Sequence, residues 1–295
     1  MHATLNELKQ KVEAMFPLSG ETQSAIKGLS IFKRSEALQN QYCLYRPMAV
    51  LVLQGEKQSI LGTDKCVYKE GQLVVTSIDI PSVGCVIKAS PDKPFISIVM
   101  DLDSSIIEQF LSDGVFIPTK TSQRAMGVID ASSELTDAFY RLICLLETPE
   151  RQKVMAPMIL KEIHYLLLTS SLGDVLCSVN AAGSQNNQIV RAIDWLKENY
   201  RHSFKIDELA QKVNMTEATF YRHFNQVTSL SPLQYQKKLR LYEAHRLMMS
   251  GKVNVEKAAY EVGYESSSQF NREYKRMFGV PPKANVNRIK QSILK

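Results

Sequence analysis

The 295-residue sequence has no run of 18 or more apolar residues, which excludes an ordinary membrane-spanning helix. The first residues, Met1-His-Ala-Thr-Leu-Asn-Glu-Leu-Lys9, carry an early acid and no apolar core, so they do not read as a secretory signal. Cysteine is sparse: Cys43, Cys66, Cys85, Cys144 and Cys177 form an odd, well-spread set with no C-x-x-C pair. That argues against a disulfide framework or a structural zinc site, and it fits a reducing, cytoplasmic setting. Each cysteine reads as a small apolar residue. No P-loop, G-x-S-x-G or paired-cysteine motif is present, so no catalytic residue and no cofactor is assigned.

What is present is a globular composition, 44% hydrophobic, in a chain long enough for two domains. The net charge of +6 is unevenly spread. Residues 190–295 hold 19 basic and 10 acidic side chains, net +9, and the rest of the chain hold 17 and 20, net −3. A basic C-terminal third on an acidic remainder suggests that one end meets a polyanion.

Along the chain, residues 1–28 read as helical and peripheral, with Leu5, Leu8, Val12 and Met15 at helical spacing. From Leu29 to Asp103 the pattern is one of short strands: 49–53, 57–61, 72–76, 85–88 and 95–100. Turn signals separate them at Gly62-Thr-Asp64, Glu70-Gly71, Pro81-Ser-Val-Gly84 and Pro91-Asp-Lys-Pro94. A strand about every ten residues predicts a small antiparallel barrel or sandwich. Helix returns from Asp103 to Leu172, with Ser104 as a candidate cap, Ser132-Ser-Glu-Leu135 opening a second helix, and Pro149 stopping it. The segment 156–168 is apolar on more than one face, which suits either packing on the barrel or contact with a second copy. Residues 173–187, small or polar, have linker composition.

The C-terminal part contains a repeat. Residues 206–213 match 255–262 at an offset of 49; after one extra residue, Phe220, Arg222, Phe224 and Pro232 match Phe270, Arg272, Tyr274 and Pro282 at an offset of 50. Each copy reads as two short amphipathic helices around a tight turn, a helix-turn-helix whose second helix enters the DNA major groove. Ala210 and Ala259 are small where the helices meet, and Asn214 and Gly263 suit the turn. Thr216 can cap the first recognition helix, and Ser266 with Gln269 has the pattern of a capping box. With the aromatic residues inward, Ala218, Thr219, Tyr221 and Arg222 in the first unit and Ser267, Ser268, Gln269 and Arg272 in the second are left for DNA. Arginine can fork onto guanine and glutamine onto adenine. Alternatively, Gln269 closes its own cap, the arginines meet phosphates or only solvent, and Tyr221 packs rather than reads. Between the units, 232–249 reads as one helix opened by Pro232, roughly 27 Å long and able to space two recognition helices about one DNA turn apart. Lys237, Lys238, Arg240 and Arg246 lie along it, for phosphates or for solvent.

Residues 231–248, and still more Ala258-Ala-Tyr-Glu-Val-Gly-Tyr-Glu-Ser-Ser-Ser-Gln-Phe-Asn-Arg-Glu-Tyr-Lys-Arg-Met-Phe-Gly-Val-Pro-Pro282, resemble the AraC/XylS family of bacterial transcription regulators. Upstream, Leu44-Tyr-Arg-Pro47, Leu53-Gln-Gly-Glu-Lys57, Ala89-Ser-Pro-Asp-Lys-Pro94 and Arg191-Ala-Ile-Asp-Trp-Leu-Lys-Glu-Asn-Tyr200 are similar to one subgroup of that family. The resemblance implies a two-domain α+β chain. A cupin-like antiparallel β-barrel with helices over 1–180 would sense an effector and dimerise, and an all-α domain with two helix-turn-helix units over 189–295 would bind DNA. The expected partners are double-stranded promoter DNA, RNA polymerase, a small-molecule effector and a second copy of the chain, with no membrane.

A small barrel can enclose one ligand. None of the histidines (His2, His164, His202, His223, His245) lies in 29–103, so a histidine metal centre and the oxygenase or isomerase chemistry that goes with it are not expected there, and no metal is assigned. Tyr42, Tyr45, Arg46 and Tyr68 are candidates to line a pocket for an anionic or aromatic effector; the alternative is that they are core or rim residues. Two other functions stay open. One is a repair alkyltransferase acting through a cysteine, which needs an activated thiolate; the other is a ligand-independent regulator whose barrel only oligomerises.

Overall fold

The computed structural model describes residues 3–62, 64–115, 125–181, 183–251 and 253–293. Met1, His2, Thr63 and Ala182, named in the sequence segments above, lie outside them. Helix α1 (Leu5–Met15) opens on a capping box between Thr4 and Glu7. Strands β1 (Gly20–Gln23), β2 (Leu29–Arg34), β3 (Leu38–Tyr45), β4 (Met48–Gln54), β5 (Glu56–Leu61), β6 (Asp64–Lys69), β7 (Gln72–Thr76), β8 (Ile80–Lys88) and β9 (Phe95–Asp101) follow. Then come α2 (Ser104–Ser112), β10 (Met126–Asp130), α3 (Ser133–Cys144), α4 (Pro149–Thr169) and α5 (Gly173–Asn180). The C-terminal part is helical throughout: α6 (Gln185–Asn199), α7 (Ile206–Lys212), α8 (Glu217–Thr228), α9 (Pro232–Met249), α10 (Val255–Glu261), α11 (Ser267–Phe278) and α12 (Pro282–Ile293).

The strands form two antiparallel sheets rather than one closed barrel. The larger has the order β1-β2-β9-β4-β7-β10 and the smaller β3-β8-β5-β6. Strand β4 shows how the layers stack. Ala49, Leu51 and Leu53 join the core formed with α1 to α5, while Val50 and Val52, on the opposite face, join a core shared with the smaller sheet and with α6 to α9. A third core gathers the C-terminal half of α9 with α10 and α11.

Several elements differ from the sequence expectation. Helix α1 is not peripheral: Leu8 and Val12 are fully buried in the first core. Strands β1 and β6 lie at sheet edges, and their polar sequences Gly-Glu-Thr-Gln and Asp-Lys-Cys-Val-Tyr-Lys carry little strand signal. Pro81-Ser-Val-Gly84 is not a turn but the first half of β8. Pro81 faces Leu44 of β3 and lies beyond the ladder to β5, which starts at Ser82, so its missing N–H costs no central hydrogen bond. The α2 cap is Asp103, whose carboxylate accepts from the Ser105 amide at 2.9 Å, not Ser104. Pro149 ends the α3 run by starting α4. Residues 173–180 are not linker: they form α5, with Leu176 and Cys177 buried against the first core. Ser184 then caps α6 by accepting from the Asn187 amide at 3.0 Å, so the connection between α5 and α6 is only a few residues long.

Candidate nucleic-acid interface and ligand cavity

In the first C-terminal unit, Leu209 and Ala210 of α7 are buried against α8, whose Phe220 and Phe224 pack inward as a tilted pair with ring centroids 5.5 Å apart. Asn214 holds the turn with φ of 57°. Thr216 caps α8, its hydroxyl accepting from the Thr219 amide at 3.3 Å. The second unit repeats this: Ala258 and Ala259 are buried, Gly263 has φ of 90°, and the tilted rings of Phe270 and Tyr274 have centroids 5.5 Å apart. Both turns therefore use the left-handed backbone that the sequence anticipates. The capping box at Ser266 is half made. Ser266 accepts from the Gln269 amide at 3.4 Å, but the Gln269 side chain donates to Glu273 along its own helix instead of returning to the cap.

The outward faces carry the residues named from sequence. Ala218, Tyr221 and Arg222 are exposed on α8, and Ser268, Gln269 and Arg272 on α11; Thr219 and Ser267 are half-buried beside their caps. Among the described residues, Arg222 and Arg272 make no ion pair or hydrogen bond, whereas Lys237 pairs with Glu273 at 2.9 Å and Arg246 with Glu243 at 2.6 Å. Arg240 donates to the carbonyls of Tyr200 (2.6 Å), Gly263 (3.0 Å) and Arg201 (3.1 Å). Lys238 is half-buried, and desolvation pushes its amine below the usual range. So three of the four cations expected along α9 are engaged within the fold, while the matched arginines face solvent. The exposed Lys275 and Arg276 near the end of α11 add positive charge that the repeat did not single out.

Tyr42, Tyr45, Arg46 and Tyr68 all line one cavity of about 330 Å³, walled by β2, β3, β4 and β5. Each is already engaged. The Tyr45 and Tyr68 hydroxyls both meet Ser59 at 2.8 Å in a buried chain, and burial pushes the Tyr45 phenol well above its usual range. Arg46 pairs with Asp101. The Tyr42 ring packs edge-on to Phe278 of α11 at 4.7 Å. Among the described residues, two charges of the lining that the sequence reading missed, Arg34 and Lys57, make no hydrogen bond or ion pair. The Lys57 ammonium lies 4.7 Å from the Phe32 ring centroid with no carboxylate among the described residues within 4.0 Å, and the Arg34 Nε is buried with no acceptor. Strand alternation puts Lys57 on the same face of β5 as Ser59 and Leu61, and only the burial of those two turns that face inward.

Burial raises the Cys43 thiol and takes the Cys177 thiol up to about 12, the opposite of what a nucleophilic cysteine needs. Among the described residues no group of three or more His, Cys, Asp or Glu is placed to hold a metal ion. No helix among them is long and apolar enough to cross a membrane.

Residues 25–175 match the family model described as the AraC-type transcriptional regulator N-terminus, about half of the chain, and residues 209–288 match a helix-turn-helix domain. The chain belongs to the AraC family. Among its relatives are the thermoregulatory protein LcrF of Yersinia pestis and the virulence regulon transcriptional activator VirF of Yersinia enterocolitica, each 28% identical over 164 residues, 55% of this chain. The chain spans only 60% of the length of these two AraC-family relatives. The fold is that of ToxT from Vibrio cholerae. An apo variant of that protein superposes with a TM-score of 0.60 over 90% of this chain and 98% of its own, at 8% identity. ToxT bound to (E)-4-(8-methylnaphthalen-1-yl)but-3-enoic acid gives 0.59 over 88% and 97%, at 12% identity.

Proposed function

We propose that this AraC-family chain is an effector-responsive transcription regulator that places α8 and α11 in successive major grooves of promoter DNA. The observation that carries this is the pair Arg222 and Arg272. They stand at equivalent points of two tandem recognition helices, exposed and without an internal partner, on the part of the chain with net charge +9. Their neighbours differ: Ala218, Thr219 and Tyr221 in one unit, Ser267, Ser268 and Gln269 in the other. The two helices therefore read different bases, and one subunit prefers an asymmetric site. In this reading 189–295 binds DNA, 1–180 senses a small molecule and dimerises, and RNA polymerase is the downstream partner in the cytoplasm. Activation is the favoured direction, since VirF and RhaS, both similar to this chain, are named activators.

The test is binding to a site selected from random duplex DNA. Arg222→Ala and Arg272→Ala each lose about 1–3 kcal/mol, and each relaxes preference at a different position of the site. Affinity of the parent falls steeply with salt. If both variants bind the selected site as the parent does, the assignment of these helices to base reading is wrong.

A further inference from the structure

We infer that Glu273 is a positioning residue for base reading: it holds the Gln269 side-chain amide by its nitrogen, turns the amide oxygen outward, and so makes α11 select adenine at one position of the DNA site. This rests on the reading of α11 as a recognition helix and gives one of its residues a base.

The Glu273 carboxylate faces the exposed Gln269 one turn back along α11, and it is fixed from two other places in the fold. Its Oε2 accepts from the Tyr264 hydroxyl at 2.8 Å, in the turn before α11. Its Oε1 accepts from the Lys237 ammonium of α9 at 2.9 Å and from the Gln269 Nε2 at 3.4 Å. Tyr264 is itself buried, edge-on to Phe270 with centroids 5.3 Å apart, and the Arg240 guanidinium carbon lies 5.9 Å from its ring. The Glu273 side chain is only 16% exposed. Burial alone would push its carboxyl up, but the donors from Lys237, Tyr264 and Gln269 outweigh it and hold the carboxyl below the usual range. It is therefore ionised at neutral pH, and an ionised carboxylate only accepts hydrogen bonds. The Gln269 amide must then turn its NH2 group to Glu273 and its oxygen away.

That orientation decides which base edge fits. One amide hydrogen goes to Glu273, which leaves one N–H and the oxygen for DNA. Adenine shows the complement in the major groove, the N7 acceptor beside the N6 donor. Guanine shows two acceptors, N7 and O6, and sets one of them against the amide oxygen. Thymine presents an oxygen and a methyl group, and cytosine a donor alone. Because Lys237 and Tyr264 already fill Glu273, Arg272 beside it makes no ion pair among the described residues and keeps its fork for a base. The first unit has no such lock: at the offset of 50, Thr219 stands for Gln269 and His223 for Glu273.

The test selects sites for the full chain from random duplex DNA and reads the base preference at every position. Gln269→Met marks the position that the amide reads, where the parent is expected to take adenine over guanine by about tenfold or more. Glu273→Met keeps the stem and frees the amide to turn, so at that position the ratio is expected to fall below about threefold, with preferences elsewhere, including the one set by Arg272, unchanged. The lost negative charge strengthens binding to every sequence alike, which a ratio between bases does not register. Should Glu273→Met fail to fold, Lys237→Met decides the matter: it unclamps Oε1 and is expected to lower the same ratio by about threefold, while Lys237→Arg keeps it. Adenine preference intact in the folded variant, even with affinity lowered at all positions together, would make Glu273 a strut of α11 and overturn the inference. No preference for adenine by the parent at the Gln269 position overturns it too. A parent whose selected site responds to Arg222→Ala and Arg272→Ala but not to Gln269→Met loses only this inference, and one that selects no site loses the regulator reading as well.

Discussion

Asn214 and Gly263 occupy the same point of the two units, both with positive φ, yet they are not interchangeable. A Cβ on Gly263 would lie 2.1 Å from the Arg201 carbonyl oxygen, so the second turn packs against the chain that joins α6 to α7. Backbone against backbone cannot yield as a flexible side chain can. Gly263→Ala is therefore expected to cost at least about 2 kcal/mol, whereas Asn214→Gly stays within about 1 kcal/mol. Urea unfolding of the two variants checks this; similar losses would show that conformation, not contact, fixes the glycine. The sequence made both turns legible, because glycine and asparagine are the residues that tolerate this backbone. It did not show why only one of them had to be glycine, since Arg201 is 62 positions away in the chain. Lys57 escaped notice for a related reason. A lysine in a strand reads as solvated until its neighbours on the same face, Ser59 and Leu61, are known to be buried.

At the scale of elements, α9 does more than set a spacing. Its first half sends Tyr235 and Leu239 into the core of the first unit, and its second half sends Leu241, Tyr242, Ala244 and Met248 into that of the second. Arg240 sits at the junction and holds the carbonyls of Tyr200, Arg201 and Gly263 together, which ties the first unit's entry to the second unit's turn. Arg240→Met keeps the stem and removes the donors. It is expected to cost about 2 kcal/mol of stability, with three carbonyls left to solvent or unpaired. More tellingly, it should weaken binding to a site carrying both half-elements more than binding to either element alone, because the angle between the recognition helices is no longer fixed. Equal losses on whole and half sites would make Arg240 a stabiliser of α9 only. The long helix was plain from its bounds, Pro232 at the first turn and apolar residues throughout. The hidden elements were the short ones that borrow their stability. Strand β10 lies beyond α2 and, among the described residues, pairs only with β7, and α5 hides Val175, Leu176 and Val179 among small and polar residues.

For the whole molecule, the two proposed domains are not beads on a linker. The second core mixes residues of both sheets with α6 to α9, and polar contacts stitch its border. The Tyr235 hydroxyl donates to the Asp79 carbonyl and the Tyr242 hydroxyl to the Ser82 carbonyl, each at 2.8 Å. Lys197 pairs with the Asp79 carboxylate at 2.6 Å, and Ser229, at the end of α8, donates to Asp64 at 3.0 Å. Strand β3 connects this border to the cavity between the sheets, because Tyr42, Cys43 and Leu44 line the cavity and also the groove against α9. With a border of this kind the parent is expected to unfold in one cooperative transition. Tyr235→Phe removes the donor from the half-buried Asp79 carbonyl and Tyr242→Phe the donor from the buried Ser82 carbonyl, each at a cost of about 1–3 kcal/mol. The two sites lie roughly 10 Å apart along α9, so the losses should nearly add. The double variant is therefore expected to show two calorimetric transitions, the lower one matching isolated 189–295 if that fragment folds alone. A single transition shifted by the summed loss would mean instead that the apolar part of the border carries the coupling, and that a ligand acting through β3 must move the whole sheet against α9 rather than break a few polar contacts.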